Sequence, residues 1–258
     1  MDWDDAYANA AHIPGADRYP EKWARAAAAF RDATLCECDL PYGETPRQRF
    51  DLFHPARLAK GLVVFVHGGY WLRFDKSYWS HLAAGPLAHG WAVAMPSYDV
   101  CPDVSIAEIG DQIAQAVAHA AARVQGPIRL VGHSAGGQLV ARMTATRPGA
   151  DWQERVEKVV PISPVSDLAP LVNTAMNADF RLDAAQIAEE SPVHLPVPKV
   201  PVVVWVGADE RPVFLDQAKW LADAWGCTHV VEADLHHFIG GEGLAVPESV
   251  LSRTVVVQ

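Results

Sequence analysis

The stretch that decides the fold is Gly132-His133-Ser134-Ala135-Gly136-Gly137. The apolar run Pro127–Val131 precedes it and predicts a short buried strand, and Gln138–Met143 follows it and predicts a helix. A Gly-x-Ser-x-Gly turn between a strand and a helix is the pattern of a nucleophile elbow. Its glycines are needed because the serine lies at a strained tip where its neighbours two residues away have no room for side chains. The pattern predicts that the Ser134 hydroxyl is raised into a cleft, near the positive end of the helix.

Taken alone, the motif also fits a glycine-rich turn with an ordinary serine, so its weight depends on the rest of the chain. Further apolar runs predict strands on both sides of it, at Gly61–Val66, Trp91–Met95, Val156–Ile162, Val200–Val206 and Thr228–Glu232. Helical patterns lie between them, at Ser77–His89, Ser105–Val124 and Phe214–Trp225. Strands that alternate with helices are typical of an α/β fold, with a mostly parallel central sheet and helices on both faces.

Three segments depart from this alternation. Residues 1–34 form an N-terminal extension whose helix, Pro20–Phe30, begins with proline, and the extension is a candidate to cover the cleft. The segment Asp167–Glu190 predicts short helices that form a small cap over the sheet. The tail from Pro247 predicts a terminal helix, although Thr254–Val257 is a poor helix former. We predict one domain over residues 1–258, since no linker or repeat divides the chain.

A hairpin precedes the first parallel strand. Leu35–Leu40 and Gln48–Phe53 predict two short strands around a turn, and they suggest an antiparallel pair at one edge of the sheet.

Composition restricts the classes of partner. The chain has 21 basic and 31 acidic residues, a net charge of −10, which disfavours nucleic acid and anionic membranes. No stretch resembles a signal peptide, and no apolar run is long enough to span a bilayer. The four cysteines form no paired metal-ligand motif and fit free thiols in a reducing compartment. These features predict a cytoplasmic protein, and they leave its oligomeric state open, a homodimer included.

Four candidate groups follow separate predicted strands. Ligands of such sheets bind beyond the carboxyl ends of the strands, so these groups are expected to meet there. They are His67–Trp71, Ser134, Asp209-Glu210 and His236-His237. The chain order of serine, acid and histidine is that of α/β-hydrolases, and it differs from the orders of chymotrypsin and subtilisin.

These residues carry a resemblance. The chain resembles α/β-hydrolases of the kynurenine formamidase (arylformamidase) type, relatives of the hormone-sensitive-lipase esterases, from about Leu40 to Phe238. The matching segments are His67–Trp71, Gly132–Gly137, Gly207–Phe214 and His237-Phe238, with Tyr42-Gly43 and Asp51–Phe53 in the lead-in.

The resemblance implies a catalytic triad. Ser134 would be the nucleophile, and His237, which directly precedes phenylalanine, would be the base that takes its proton. The family places the acid three residues after the glycine that ends a strand, and counting from Gly207 gives Glu210. Asp209 stays open, because aspartate is the commoner acid in this fold.

The resemblance also implies an oxyanion hole. Backbone N–H groups of Ala135 and of the loop Gly68, Gly69 and Tyr70 would bind the developing negative charge. Aromatic side chains near the strand ends could form a wall for an aryl substrate. Tyr70, Trp71 and Phe214 are the predicted substrate contacts, with Phe74 and Tyr98 as further candidates.

The sequence therefore predicts a serine hydrolase that cleaves a small acyl ester or amide through an acyl-enzyme, with an aryl formamide as one candidate. No cofactor, metal, nucleic acid or membrane is expected. Two alternatives are a general carboxylesterase or thioesterase and a hydrolase-fold protein that binds a small ligand without turnover. A third alternative is a metal-dependent hydrolase that uses His236 and His237.

Overall fold

The computed structural model describes residues 1–146 and 151–257, and its centre is a sheet of eight strands within those ranges. The strands are β1 Cys36–Pro41, β2 Arg49–Phe53, β3 Leu62–Val66, β4 Ala92–Pro96, β5 Ile128–His133, β6 Val156–Ile162, β7 Val203–Gly207 and β8 Thr228–Glu232. Their order across the sheet is β1-β2-β4-β3-β5-β6-β7-β8. The hairpin β1-β2 is antiparallel, and the other six strands, β3 to β8, run parallel to one another. The predicted mostly parallel α/β sheet is confirmed.

The central strands are buried on both faces. Along β3, Leu62, Val64 and Val66 pack into one hydrophobic cluster. Val63 and Phe65 pack into a second cluster on the opposite face. Side chains alternate between the two faces of a strand, so a continuous apolar run fills two cores at once.

Helices cover both faces of the sheet. They are α1 Trp3–Tyr7, α2 Tyr19–Ala33, α3 Ala84–Ala88, α4 Ile106–Arg123, α5 Ala135–Thr146, α6 Asn177–Phe180, α7 Ala184–Glu190, α8 Pro212–Trp225 and α9 Val250–Val256. Buried residues of α4, α5 and α8 belong to the cluster of Leu62, whereas those of α2 and α9 belong to the cluster of Val63. Helix α4 begins after Ser105, whose side chain forms a capping box with Glu108.

One predicted helix is wrong in type over most of its length. The segment Ser77–His89 folds as two 3₁₀ turns, Lys76–Tyr78 and Ser80–Ala83, and only then as helix α3. Pro86 lacks a backbone N–H and is tolerated only in the first turn of a helix, so a regular α-helix starts just before it, at Ala84. The terminal helix is confirmed as α9. Its Val255 is fully buried, and this packing outweighs the low helix propensity of the tail.

The first turns of the extension and the cap segment lie beyond the carboxyl ends of the strands. The cap contains a 3₁₀ turn at Ala169–Asn173 followed by α6 and α7. The backbone N–H of Ala175 in the cap donates to Asp4 Oδ1 of the extension at 2.7 Å. None of the helices in the described ranges combines the length and the apolar character needed to cross a membrane.

Candidate active site

Ser134 lies at a sharp turn between β5 and α5. Its backbone is left-handed, with φ 57°, and its side chain is almost fully buried. The turn is packed so tightly that a Cβ on Gly136 would lie 2.0 Å from the carbonyl oxygen of Val66. The neighbouring glycine is therefore required by space, and the predicted elbow geometry is present.

Ser134, His237 and Glu210 form one hydrogen-bonded row. His237 Nε2 lies 3.0 Å from Ser134 Oγ, and His237 Nδ1 lies 2.6 Å from Glu210 Oε2. The three residues follow three different strands, β5, β7 and β8, and each is at most 6% exposed. This arrangement sets a base beside a hydroxyl and a carboxylate behind the base.

The structure separates Glu210 from Asp209. The Asp209 side chain is exposed, whereas Glu210 is buried against His237. Glu210 Oε1 accepts from the Gly207 N–H at 3.1 Å and from the Ser163 hydroxyl. Burial acts to raise the pKa of Glu210, but the adjacent His237 and these hydrogen bonds outweigh it and lower the pKa below its usual value. Glu210 is thus held as a carboxylate, ready to stabilise a protonated imidazole.

Ser163 is a site residue that the sequence analysis did not identify. It comes directly after β6, so its position at the carboxyl end of a strand was the one available signal. It adopts a left-handed conformation with φ 47°, and its hydroxyl donates to the Glu210 carboxylate. It therefore orients the acid from the side opposite His237.

The other histidines near the row do not belong to it. His236 Nε2 lies 3.1 Å from the Tyr19 hydroxyl, at the surface of the extension. The His133 ring lies 4.8 Å from the His237 ring, and burial, together with the nearby His237, lowers the pKa of His133 to about 3. His133 is therefore neutral near pH 7 and does not oppose a positive charge on His237.

The loop after β3 faces the Ser134 side chain. A Cβ on Gly68 would lie 2.8 Å from Ser134 Cβ, so only glycine allows this close approach. Tyr70 and Trp71 both have positive φ, 54° and 56°, a conformation that costs energy in residues with large side chains. The Tyr70 hydroxyl donates to the Tyr7 carbonyl at 2.8 Å, and Trp71 Nε1 donates to Gln138 Oε1 at 3.2 Å. These two anchors hold the strained loop in place.

Ala135 is the first residue of α5 and is fully buried. The first N–H groups of a helix have no partner within the helix, and they lie at its positive end. Because Ala135 directly follows Ser134, its N–H is in the position expected of an oxyanion donor.

A cleft of about 870 Å³ opens over Ser134 and His237. The loop residues Gly68, Gly69 and Tyr70 line one part of it, and residues of the N-terminal extension line much of the rest. The charged lining residues are Asp4, Asp17 and Arg73. Its aromatic lining comprises Tyr7, Trp23, Tyr70, Phe74, Trp79 and Phe238.

Two predicted substrate contacts require correction. Trp71 is fully buried beneath the cap, with its ring 5.5 Å from that of Phe180, and it does not line the cleft. Phe214 is also fully buried, and its ring lies 4.2 Å from the His237 ring, behind the row. Tyr98 likewise lies out of the cleft and stacks on His67. These three side chains belong to the hydrophobic core, because strand-end positions can face the core as well as the cleft.

One cluster in the described ranges has the side chains and spacing of a metal site. The ligand atoms of Cys36, Cys38 and Asp51 all lie within 4.8 Å of one another, on the hairpin β1-β2. Asp51 Oδ1 also lies 2.7 Å from Lys76 Nζ, so a cation already neutralises that oxygen. The histidine pair that the sequence offered as metal ligands is not part of this cluster.

The family of the chain follows from this geometry and from its sequence. A model of the alpha/beta hydrolase family matches residues 63–256, and the chain belongs to that family.

Among curated relatives, the chain is similar to kynurenine formamidase from Salmo salar, with 28% identity over 70% of this chain and 65% of that protein. It is similar to kynurenine formamidase from Drosophila melanogaster, with 33% identity over 46% of this chain and 41% of that protein. The chain spans less than two thirds of the length of these relatives.

Solved structures give a longer match. A protein from Silicibacter sp. tm1040, provisionally described as a thioesterase, is 53% identical, with a TM-score of 0.96 and 99% of each chain covered. Esterase B from Lactobacillus rhamnosis superposes with a TM-score of 0.67 at 20% identity, over 93% of this chain and 91% of its own. That likeness concerns the fold alone.

Proposed function

We propose that this chain is a serine hydrolase that cleaves small acyl esters and amides through an acyl-enzyme. The observation that carries the proposal is the hydrogen-bonded row of Ser134, His237 and Glu210, buried beneath a cleft. Seryl hydroxyls are weak nucleophiles until a base takes their proton, and this row supplies that base. The intact row also disfavours the alternative of a ligand-binding protein without turnover.

Acylation would begin with attack of Ser134 Oγ on the substrate carbonyl carbon, while His237 Nε2 takes the hydroxyl proton. Glu210 would stabilise the resulting imidazolium through Nδ1. The negative oxygen of the tetrahedral intermediate would be bound by the N–H of Ala135 and by those of the loop Gly68–Tyr70. His237 would then donate its proton to the leaving oxygen or nitrogen as the bond to the acyl carbon breaks.

Deacylation would repeat these steps with water. His237 Nε2 takes a proton from water as its oxygen attacks the acyl carbon, and the proton returns to Ser134 Oγ when the free acid leaves. No group beyond this chain's own residues and water is needed to balance either step.

The charges around the cleft favour a formamide or simple ester over a coenzyme A thioester. The lining carries two carboxylates, Asp4 and Asp17, against one guanidinium, Arg73. A phosphate-bearing leaving group would meet net negative charge there and in the whole chain, whose charge is −10. An amino-acid leaving group would instead find partners for both of its charges. We therefore propose an arylformamidase, with the thioesterase as second candidate because of the 53% identical Silicibacter protein.

The mechanism is tested with a fluorophosphonate probe, which labels activated serines. We expect labelling at Ser134, no labelling in Ser134→Ala, and unchanged labelling in the control Ser77→Ala. Labelling that persists in Ser134→Ala, or a wild-type protein that the probe does not label, would contradict the proposal.

The substrate class is tested by kcat/KM for N-formylkynurenine, phenyl acetate and acetyl-coenzyme A. We expect the thioester to be the poorest of the three. If acetyl-coenzyme A were the best of the three substrates, the thioesterase assignment would replace the arylformamidase assignment.

A further inference from the structure

The extension places a buried asparagine in the wall of the cleft. Asn9 begins a 3₁₀ turn, Asn9–His12, and is 5% exposed. Neither Nδ2 nor Oδ1 of Asn9 has a hydrogen-bond partner among the described residues. A buried polar group without a partner destabilises a fold, so such groups call for an explanation.

Asn9 lies between two cavities. It lines the cleft together with Ser134 and His237. It also lines a second cavity of about 210 Å³, whose other walls include Glu210, His236 and His237. Both amide atoms are covered, so a rotation of the side chain toward either cavity is what would bring them to a molecule bound there.

The position of Asn9 relates it to the leaving group. In the proposed mechanism, His237 protonates the leaving atom, so the leaving group must lie on the His237 side of Ser134. Asn9 shares both of its cavities with His237. We therefore expect the leaving group to be the part of the substrate that lies nearest to Asn9.

The chemistry of the amide defines the ligand class. A carboxamide offers one acceptor and a pair of donor hydrogens side by side, and it binds groups that present a donor and an acceptor in the opposite order. Aromatic leaving groups with an adjacent N–H and C=O have this pattern, whether as a carboxamide or as an arylamine beside a carbonyl. Phenol has no such pair.

We propose that Asn9 selects the leaving group by a paired hydrogen bond to an adjacent N–H and C=O. This inference rests on the proposed hydrolase function for its account of the leaving side. A site built to hydrogen-bond a substrate group discriminates strongly against analogues that lack it. Two contacts of the extension keep Asn9 in place. The Tyr7 carbonyl accepts a hydrogen bond from the Tyr70 hydroxyl, and the Asp5 carboxylate lies 2.8 Å from the Arg211 guanidinium.

The test compares phenyl acetate with 3-carbamoylphenyl acetate, which differ only by a carboxamide on the leaving group. We expect the wild-type kcat/KM to favour the carbamoyl ester by about tenfold or more. In Asn9→Leu this preference should fall to about one. The control Asn173→Leu, at an exposed asparagine of the cap, should keep the preference.

Stability separates recognition from a structural role. Asn9→Leu removes buried polar atoms that lack partners, so its Tm should be equal to or above that of the wild type. A lower Tm with both esters slowed equally would show that Asn9 only supports the extension, and would overturn the proposal. A carbamoyl preference that survives in Asn9→Leu would also overturn it.

Binding gives a readout that does not depend on catalysis. In Ser134→Ala, calorimetry should show 3-hydroxybenzamide bound at least about tenfold more tightly than phenol, and Asn9→Leu in that background should remove the difference. Equal binding of both phenols to Ser134→Ala would refute the role of Asn9. Absence of ester turnover in the wild type would refute the hydrolase proposal and leave the binding result to decide this one.

Discussion

The carboxyl edge of the sheet and the N-terminal extension contribute differently to the same cleft. The sheet edge supplies Ser134, Glu210 and His237, each beyond the carboxyl end of a different strand and each held in the row by hydrogen bonds. The extension reaches the cleft through short helical turns and rests on contacts such as Tyr70 to the Tyr7 carbonyl. The groups that would carry out chemistry are thus fixed by the fold, whereas much of the substrate-facing wall is added by a docked segment.

The largest expected effect is at the sheet edge. Ser134→Ala removes the nucleophile, and we expect kcat/KM for phenyl acetate to fall by about 10⁴-fold or more, since removing a triad residue costs several orders of magnitude. Steady-state kinetics with an active-site titration of the wild type measures the loss. If Ser134→Ala kept more than a tenth of the wild-type activity, Ser134 would not be the nucleophile.

Adjacent acids give the next test. Glu210→Gln keeps the size of the side chain but loses the charge that stabilises the imidazolium, so we expect kcat to fall by about 10²- to 10⁴-fold. Asp209→Asn is the matched control, because its side chain is exposed, and kcat should change by less than about twofold. The reverse ranking would mean that the acid is the residue before Glu210.

The oxyanion loop should respond to a single methyl group. Gly68→Ala would place Cβ 2.8 Å from Ser134 Cβ and displace the loop from the nucleophile. Loss of one oxyanion donor costs about 10²- to 10³-fold in kcat, and we expect a loss in that range. Gly241→Ala is the control, since its Cβ would meet no atom closer than 3.9 Å. Equal activity of the two variants would show that the loop after β3 does not bind the oxyanion.

The docking contact of the extension should have a smaller effect. Tyr70→Phe deletes the hydrogen bond to the Tyr7 carbonyl, and a typical hydrogen bond contributes about 0.5–1.5 kcal/mol. We expect KM to rise by about two- to tenfold with kcat nearly unchanged, because the extension lines the cleft without entering the row. Tyr78→Phe is the control. A loss confined to kcat would indicate that the hydroxyl acts on the reacting groups instead.

The smallest effect concerns stability and pH. The pKa of Glu210 is lowered in the folded chain, so its contribution to the free energy of unfolding is complete above its unfolded pKa and is lost as pH falls through the folded one. The difference in unfolding free energy between the wild type and Glu210→Gln should be constant from about pH 8 to pH 6 and should narrow below about pH 4. Urea titrations at several pH values measure it, and a difference that widens in acid would contradict the lowered pKa.

The sequence by itself determined the alternation of strands and helices, the elbow at Ser134 and the chain order of serine, acid and histidine. These features could be predicted because buried strands need continuous apolar runs and the elbow needs glycine, so both leave marks in neighbouring residues. The sequence did not distinguish 3₁₀ turns from an α-helix in the segment Lys76–Ala88, because the two kinds of helix have nearly the same periodicity.

Only the tertiary structure decided which of two adjacent loop residues faces inward. Asp209 and Glu210 differ by one position, and loops have no periodicity that assigns a face. Here the backbone N–H of Asp209 donates to the Leu235 carbonyl at 3.0 Å, and the Glu210 side chain accepts from Gly207 and His237. The burial of Trp71 and Phe214, the support from Ser163 and the position of Asn9 have the same origin. Each depends on contacts between residues far apart in the chain, which local sequence patterns do not record.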